Sequence, residues 1–347
     1  MKQKIIILFV CFASINLTLF GREVKELKQI ESGAEYWDIW ENTRPLIETD
    51  TIAAILIFEE AIYKTDNSFT KSALMRQLGG LYIDTKQFDK CLDLYESLIN
   101  SGISVFFEAR GNTYPAYTKA LENNERFISL LKRNNELIEK ANENSCAEYF
   151  VQKPKNYDKN TAYPLMMIFH GGIGNIQRQQ HHWKAEKIDE DFLVVFVQGR
   201  QFICTGKRRF GNEGVTDVKS IYSKIKNDYL IDTTRIILGG PSAGGMLSID
   251  LAINNFIPAQ GLILAFPVKP RAFGADEIYD AGINGLRVSM ICGENDWALE
   301  SQKEMSVIFD KLDVANRIVI YPENGHEYPD DFSKQILKSI KFIEDEE

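Results

Sequence analysis

The stretch "TRIILGGPSAGGMLSID", Thr234 to Asp250, decides the fold. Ile236-Ile237-Leu238 is a continuous apolar run of the kind carried by a strand buried on both faces, and a helical pattern opens at Met246. Between them lies a glycine-rich turn. Such a turn serves dinucleotide binding, phosphate cradling or nucleophile presentation. The dinucleotide fingerprint G-x-G-x-x-G is absent, because Pro241 follows Gly240. Gly239 to Gly244 supplies the G-x4-G of a phosphate loop, but Gly245-Met246 stand where Lys and Ser/Thr are required. Gly240-Pro241-Ser242-Ala243-Gly244 fits G-x-S-x-G, the nucleophile elbow, where a Cβ two residues either side of the serine would collide with the neighbouring backbone. The plainer alternative is that Ser242 only caps the helix it opens.

Three further pieces lie outward from this turn. "MMIFHGGIGN" ends a strand candidate in His170-Gly171-Gly172; the backbone N–H of Gly172, together with that of Ala243, is placed to meet a developing oxyanion. "RVSMICGENDWALE" puts Asp296 just past a strand, and "RIVIYPENGHEYP" puts His326 in the loop after the last one. Glu294, Asp310 and Asp313 are alternative acids; Glu294 sits nearer the strand, and the other two fall in or just after a helix. The order Ser242, Asp296, His326 is that of a Ser-Asp-His triad, with Ser242 as nucleophile, His326 as base and then acid, and Asp296 orienting the imidazolium. His170 reads as a structural tie for the glycine loop. His181-His182 read as part of a polar loop with no acidic partner at a metal spacing. Asp217, in "GVTDVKSIY", reads as a helix N-terminal charge.

From residue 145 to 347 the grammar is α/β. Strand candidates "CAEYFVQK", "YPLMMIFH", "FLVVFVQG", "RIILGG", "GLILAF", "RVSMICG" and "RIVIYP" alternate with amphipathic helices, which means a mainly parallel sheet flanked by helices. Residues 22–144 read as an all-helical region with no convincing strand. Within it "ALMRQLGGLYIDTKQFDKCLDLYESLI" places Leu78-Gly79, Tyr82, Cys91 and Tyr95 at the offsets of a tetratricopeptide helix pair, small residues letting the helices close and tyrosines filling the gap. This layer either presents a concave surface to a protein or peptide partner, or packs against and shades the other half. Trp37 and Trp40, at i and i+3, read as core.

Residues 1–21 carry Lys2 and Lys4 ahead of an apolar run from Ile5 to Ala13, the layout of an export signal; Ser14, Asn16 and Thr18 break the run short of a membrane span. The expected location is secreted or periplasmic, with a retained anchor or a lipoprotein at Cys11 as lesser options. Cys91, Cys146, Cys204 and Cys292 show no metal spacing and no evident pairing. A formal net charge of −9 over 347 residues, with no basic run, argues against nucleic acid or anionic lipid as a partner.

Residues 146–347 resemble the α/β-hydrolase superfamily. Within it, "YPLMMIFHGGIGN", "TDVKSIYSKIKNDYLIDTTRIILGGPSAGGMLSIDLA" and "GENDWALE…ENGHEYP" are similar to the poly(3-hydroxybutyrate) depolymerase and feruloyl-esterase-like group. The resemblance implies a cofactor-free serine esterase and assigns Ser242, Asp296, His326 and the Gly172/Ala243 pair to its machinery. Pro241 departs from the aromatic, His or Asn usual before the nucleophile. The short segment between "FPVKP" and "RVSMIC" leaves no room for a large lid, which suggests an open site able to take a bulky or polymer-linked acyl group, or one covered by the helical half instead; the expected partner is a small-molecule or polymer-linked ester substrate. A serine peptidase on the same fold, and a helical interaction protein with an inactive hydrolase half, are the competing functions.

Overall fold

The computed structural model describes residues 23–107 and 116–345. The export signal and Cys11 lie outside them. In chain order the elements are β1 (Val24–Glu26), α1 (Ala34–Thr49), α2 (Thr51–Lys64), α3 (Ser68–Asp84), α4 (Phe88–Asn100), α5 (Ala116–Leu121) and α6 (Glu125–Glu143). There follow β2 (Ala147–Gln152), β3 (Tyr163–Phe169), α7 (Ile176–His182), α8 (Glu186–Asp191), β4 (Leu193–Gln198), β5 (Gln201–Cys204), β6 (Lys207–Arg209) and α9 (Gly214–Asp228). The chain continues with β7 (Ile231–Pro241), α10 (Ala243–Ile253), β8 (Gly261–Ala265), α11 (Ala275–Ile283), β9 (Arg287–Gly293), α12 (Leu299–Lys311), β10 (Ala315–Tyr321) and α13 (Phe332–Glu344).

Eight of these strands form one sheet in the order β1-β2-β4-β3-β7-β8-β9-β10. Every neighbouring pair is parallel except β2 with β4. The unbroken apolar strands explain this, since side chains alternate between two faces and both faces are covered. Leu165, Met167, Phe169, Val195, Leu238, Leu264 and Met290 pack into the core under α9 to α12. Their neighbours Met166, Ile168, Val194, Phe196, Ile237, Ile263 and Ile291 join Trp183, Ile188, Ile336 and Ile340 in the core under α7, α8 and α13. Each such fully buried aliphatic side chain contributes roughly 1.5–3 kcal/mol. This mostly parallel, two-sided sheet fits an α/β hydrolase.

The sequence reading assigned residues 22–144 wholly to helices, and here the structure corrects it. Val24 to Glu26 add a strand parallel to β2, with Val24 opposite Ala147. Three residues are too few to show a period, and the strand exists only because β2 offers it a partner edge.

Helices α1–α6 have a core of their own, built on Phe58, Leu74, Leu92, Tyr95 and Phe127. Side-chain caps start three of them: Asp50 accepts from the Ala53 N–H, Asn67 from Thr70 and Asn124 from Phe127. The α3–α4 pair is as close as its small residues permit. A Cβ on Gly79 would lie 2.6 Å from the Tyr95 ring, and the Cys91 thiol reaches the Gly79 carbonyl at 3.5 Å.

This layer is fastened to the sheet half at several points. Trp37 stacks on His181 with ring centroids 5.0 Å apart, and the His181 Nε2 meets Glu41 at 2.8 Å. Farther along, the Asn142 side chain makes both backbone hydrogen bonds of Phe202 in the β5–β6 hairpin. The 181–182 pair therefore closes a helix, α7, rather than lying in a loop as its polar sequence suggested. The amide run around it hides the helix, and aromatic stacking from α1 and from Tyr328 gives both imidazoles a packed setting.

Candidate active site

Strand order reverses between β3 and β7: β3 leads to β4 on one side, whereas β7 leads through β8 and β9 to β10 on the other. The carboxyl ends of two strands that part in this way leave a crevice. The glycine loop after β3 and Ser242 after β7 both face it.

Ser242 has φ 52° and ψ −120°, a left-handed conformation that non-glycine residues rarely adopt. Its side chain makes no capping hydrogen bond, so the plain helix-cap alternative fails. Backbone ties hold the strained residue: its N–H donates to the Ala265 carbonyl at 2.9 Å, and its carbonyl accepts from Met246 and Val268. The flanking glycines are sterically required. A Cβ on Gly240 would lie 2.4 Å from the Phe169 carbonyl oxygen, and one on Gly244 2.3 Å from the same atom. Strain of this kind, held in place by its surroundings, is a mark of functional sites.

The acid and the imidazole come from the loops after the last two strands, β9 and β10. Asp296 follows β9, and its Oδ1 lies 2.8 Å from His326 Nδ1. The same Oδ1 accepts from the Ala298 N–H at 2.8 Å, and Oδ2 accepts from Gln302 Nε2 at 2.9 Å. A carboxylate oxygen accepts, so this contact suits the His326 tautomer that donates from Nδ1, in which Nε2 is the acceptor. The loop bearing His326 packs against β9 so closely that a Cβ on Gly293 would sit 2.3 Å from the Gly325 carbonyl oxygen. Two of the alternative acids are engaged elsewhere, Glu294 accepting from the Glu323 N–H and Asp310 from Asn316, while Asp313 lies past the end of α12 at φ 56°.

His326 lies between Phe266 and the exposed Trp297, with ring centroids at 4.8 and 5.0 Å. Ser242, Ala243, Gly171, Gly172, Trp297 and His326 line one cavity of 950 Å³. Within it no hydrogen bond joins Ser242 to His326. Such contacts are often open without substrate.

His170 is fully buried and takes the structural place read for it. Its Nε2 accepts from the Gly199 N–H at 3.0 Å, which leaves Nδ1 to donate to the Gly171 carbonyl at 2.6 Å. Burial pushes its pKa down to about 4, so the ring is neutral near pH 7. Pinning the Gly171 oxygen also fixes the Gly172 N–H, because both belong to one planar trans peptide and point opposite ways. Asp217, by contrast, is not merely a helix-end charge. Fully buried in the first turn of α9, it takes a two-pronged ion pair from Arg200 Nε and Nη2 at 3.0 and 2.6 Å. The sequence hid this because Arg200 lies on a separate segment, in the loop between β4 and β5.

Gln302, Phe266 and Trp297 were not anticipated. No motif marks them; Gln302 is recognisable only once α12 turns it toward Asp296. Among the described residues no group of three or more His, Cys, Asp or Glu side chains is placed to hold a metal ion, and the four cysteines there are free.

No known family model matches the chain. Over 149 residues, 40% of this chain, it is 30% identical to the bifunctional acetylxylan esterase/xylanase XynS20E of Neocallimastix patriciarum. The chain spans about a fifth of the length of that curated relative, the match covering 20% of it. Among solved structures, an uncharacterized protein from Bacillus cereus ATCC 10987 aligns over 90% of this chain and 99% of its own at 18% identity and a TM-score of 0.49. A Bacillus cereus carboxylesterase aligns over 59% of this chain and 99% of its own at 19% identity and a TM-score of 0.45. The propionate-bound esterase Est2 of Thermogutta terrifontis aligns over 57% and 88% at 14% identity and a TM-score of 0.45.

Proposed function

We propose that this chain is an exported serine hydrolase that cleaves carboxylic esters through Ser242, His326 and Asp296. The observation that carries the reading is the 2.8 Å Asp296–His326 contact in the cavity that also holds Ser242 at its left-handed elbow. His326 Nε2 takes the Ser242 Oγ proton as Oγ bonds to the acyl carbon. The carbonyl oxygen becomes an oxyanion, held by the N–H groups of Gly172 and Ala243. His326 then passes the proton to the departing alkoxide, leaving an acyl-Ser242 ester. Water, deprotonated by the same nitrogen, releases the acid. Export is supported by the charged-then-apolar layout of residues 1–21. An acyl group attached to a polymer is supported by the lack of a large lid and by the curated relative's acetylxylan esterase name.

The test is hydrolysis of p-nitrophenyl acetate by the purified chain and by Ser242→Ala. We expect turnover by the first and a loss of at least about 10³-fold in the second. Equal rates would overturn the assignment.

A further inference from the structure

The helical layer leaves a second cleft, of 390 Å³, where it meets the sheet half. Tyr36, Trp40, Phe69 and Arg76 wall it from the helical side, and Ile173 and Arg178 from the other. Ile173, Gly174 and Arg178 also line the cavity of Ser242 and His326, so the two spaces adjoin through a shared wall.

Among the described residues the charged side chains of this cleft are of one sign. Three cationic side chains, Arg76, Arg178 and Lys207, and no acidic one are among the described residues lining it. This occurs in a chain where 49 acidic residues outnumber 40 basic ones. Arg76 lines the cleft, and its Nη1 is closed off from solvent with no hydrogen-bond partner, so the guanidinium is incompletely satisfied by the protein, an unfavourable arrangement for a buried charged group. Arg178 makes no ion pair among the described residues and holds its guanidinium 6.0 Å from the Trp37 ring. Trp40 and Phe69 are half-buried, which leaves part of their surface to the cleft. A planar guanidinium matches a carboxylate, and aromatic side chains match the flat face of a ring.

We infer that this cleft is a subsite for a ring-shaped substrate arm bearing a carboxylate, with the ring against Trp40 and Phe69 and the carboxylate on Arg76 and Arg178. The ester bond then lies in the adjoining cavity, and the helical layer contributes to substrate choice. Calling the ligand a substrate arm rests on the ester-hydrolase reading. The carboxylate-bearing ring is either a sugar acid or an aromatic acid.

The test is equilibrium binding to the full chain, followed by tryptophan fluorescence. The probes are methyl glucuronide and 4-hydroxybenzoate, each beside its neutral counterpart, methyl glucoside and 4-hydroxybenzamide. We expect one acid to bind at least about tenfold more tightly than its neutral counterpart, as a charge-assisted pair requires. Which acid binds tells the source of the ring. Arg76→Met and Arg178→Met are each expected to weaken it by a similar factor. Equal binding of acid and neutral probe, no binding of either acid, or variants that bind as the wild type does would overturn the inference. If Arg76→Met loses its circular dichroism spectrum, Arg178→Met, altered at an exposed side chain, decides alone. Since the readout is binding, p-nitrophenyl acetate turnover separately tests the ester-hydrolase reading.

Discussion

Gly244 is the second residue of α10, and at an ordinary helical position Gly→Ala would stabilise the protein by about 1 kcal/mol. The structure calls for the opposite. The new Cβ would stand 2.3 Å from the Phe169 carbonyl oxygen and 2.7 Å from that of His170, where contacts below 3.0 Å essentially never occur. The end of β3 and the start of α10 must therefore separate by most of an ångström. Neither side yields easily, since Phe169 is buried in the sheet core and His170 is pinned by the Gly199 N–H. Overpacking of this kind costs about 1–3 kcal/mol. It also moves the glycine loop away from Ser242, and a displacement near 1 Å lowers kcat/KM by roughly 100-fold. The assay is p-nitrophenyl acetate hydrolysis together with a urea midpoint for Gly244→Ala. Gly80→Ala in α3 serves as comparison, because a Cβ there meets nothing within 4 Å and should stabilise by about 0.5–1 kcal/mol. If Gly244→Ala raises the midpoint as Gly80→Ala does and retains wild-type kcat/KM, the steric account of the elbow is wrong.

Asp296→Asn keeps an acceptor for the Ala298 N–H but loses the charge that orients His326, so kcat should fall by about 10⁴-fold with an unchanged circular dichroism spectrum. His170 gives the stability a pH dependence. The unfolded chain takes up a proton on this residue near pH 6.5, whereas the folded chain does so only near pH 4, so protonation favours unfolding between those values. Its contribution falls by about 3 kcal/mol as pH drops through that window. Urea midpoints of wild type and His170→Asn should therefore differ most at pH 7 and converge toward pH 4; a gap independent of pH would refute this. Asp217→Ala strands Arg200, and because that side chain keeps 27% exposure the loss should sit at the low end for a broken buried pair, about 3 kcal/mol in urea unfolding.

The parts of this protein that could be read from sequence are those specified by short, contiguous stretches. Central strands such as Leu193–Gln198 and Arg287–Gly293 carry their own apolar runs, and the elbow carries its own glycines. Gly79 and Cys91 announced a close helix pair because their offsets are fixed by two adjacent helices. What escaped was made by segments that meet only in the fold. Gln302 lies six residues beyond Asp296, yet nothing in that spacing says its amide will reach Oδ2 at 2.9 Å. Asp217 was visible as a helix-start acid, but its Arg200 partner required the loop after β4 to return over α9.

The tryptophan pair of α1 carries this reasoning into the functional reading. A spacing of i, i+3 states that Trp37 and Trp40 share a face of α1; it does not state what the face meets. In the fold both pack on the helical core, and both also edge the cleft opposite Ile173 and Arg178. Core packing and ligand contact are therefore not exclusive for them. A half-buried aromatic fixed by core neighbours is already ordered before any ligand arrives, so little freedom is lost on binding. A helical layer that only shaded the sheet would have no need to place Arg76, with its Nη1 left unpartnered, in the wall of the cleft. The separate core of α1–α6 is thus what gives the second wall of the cleft the rigidity a selective subsite requires.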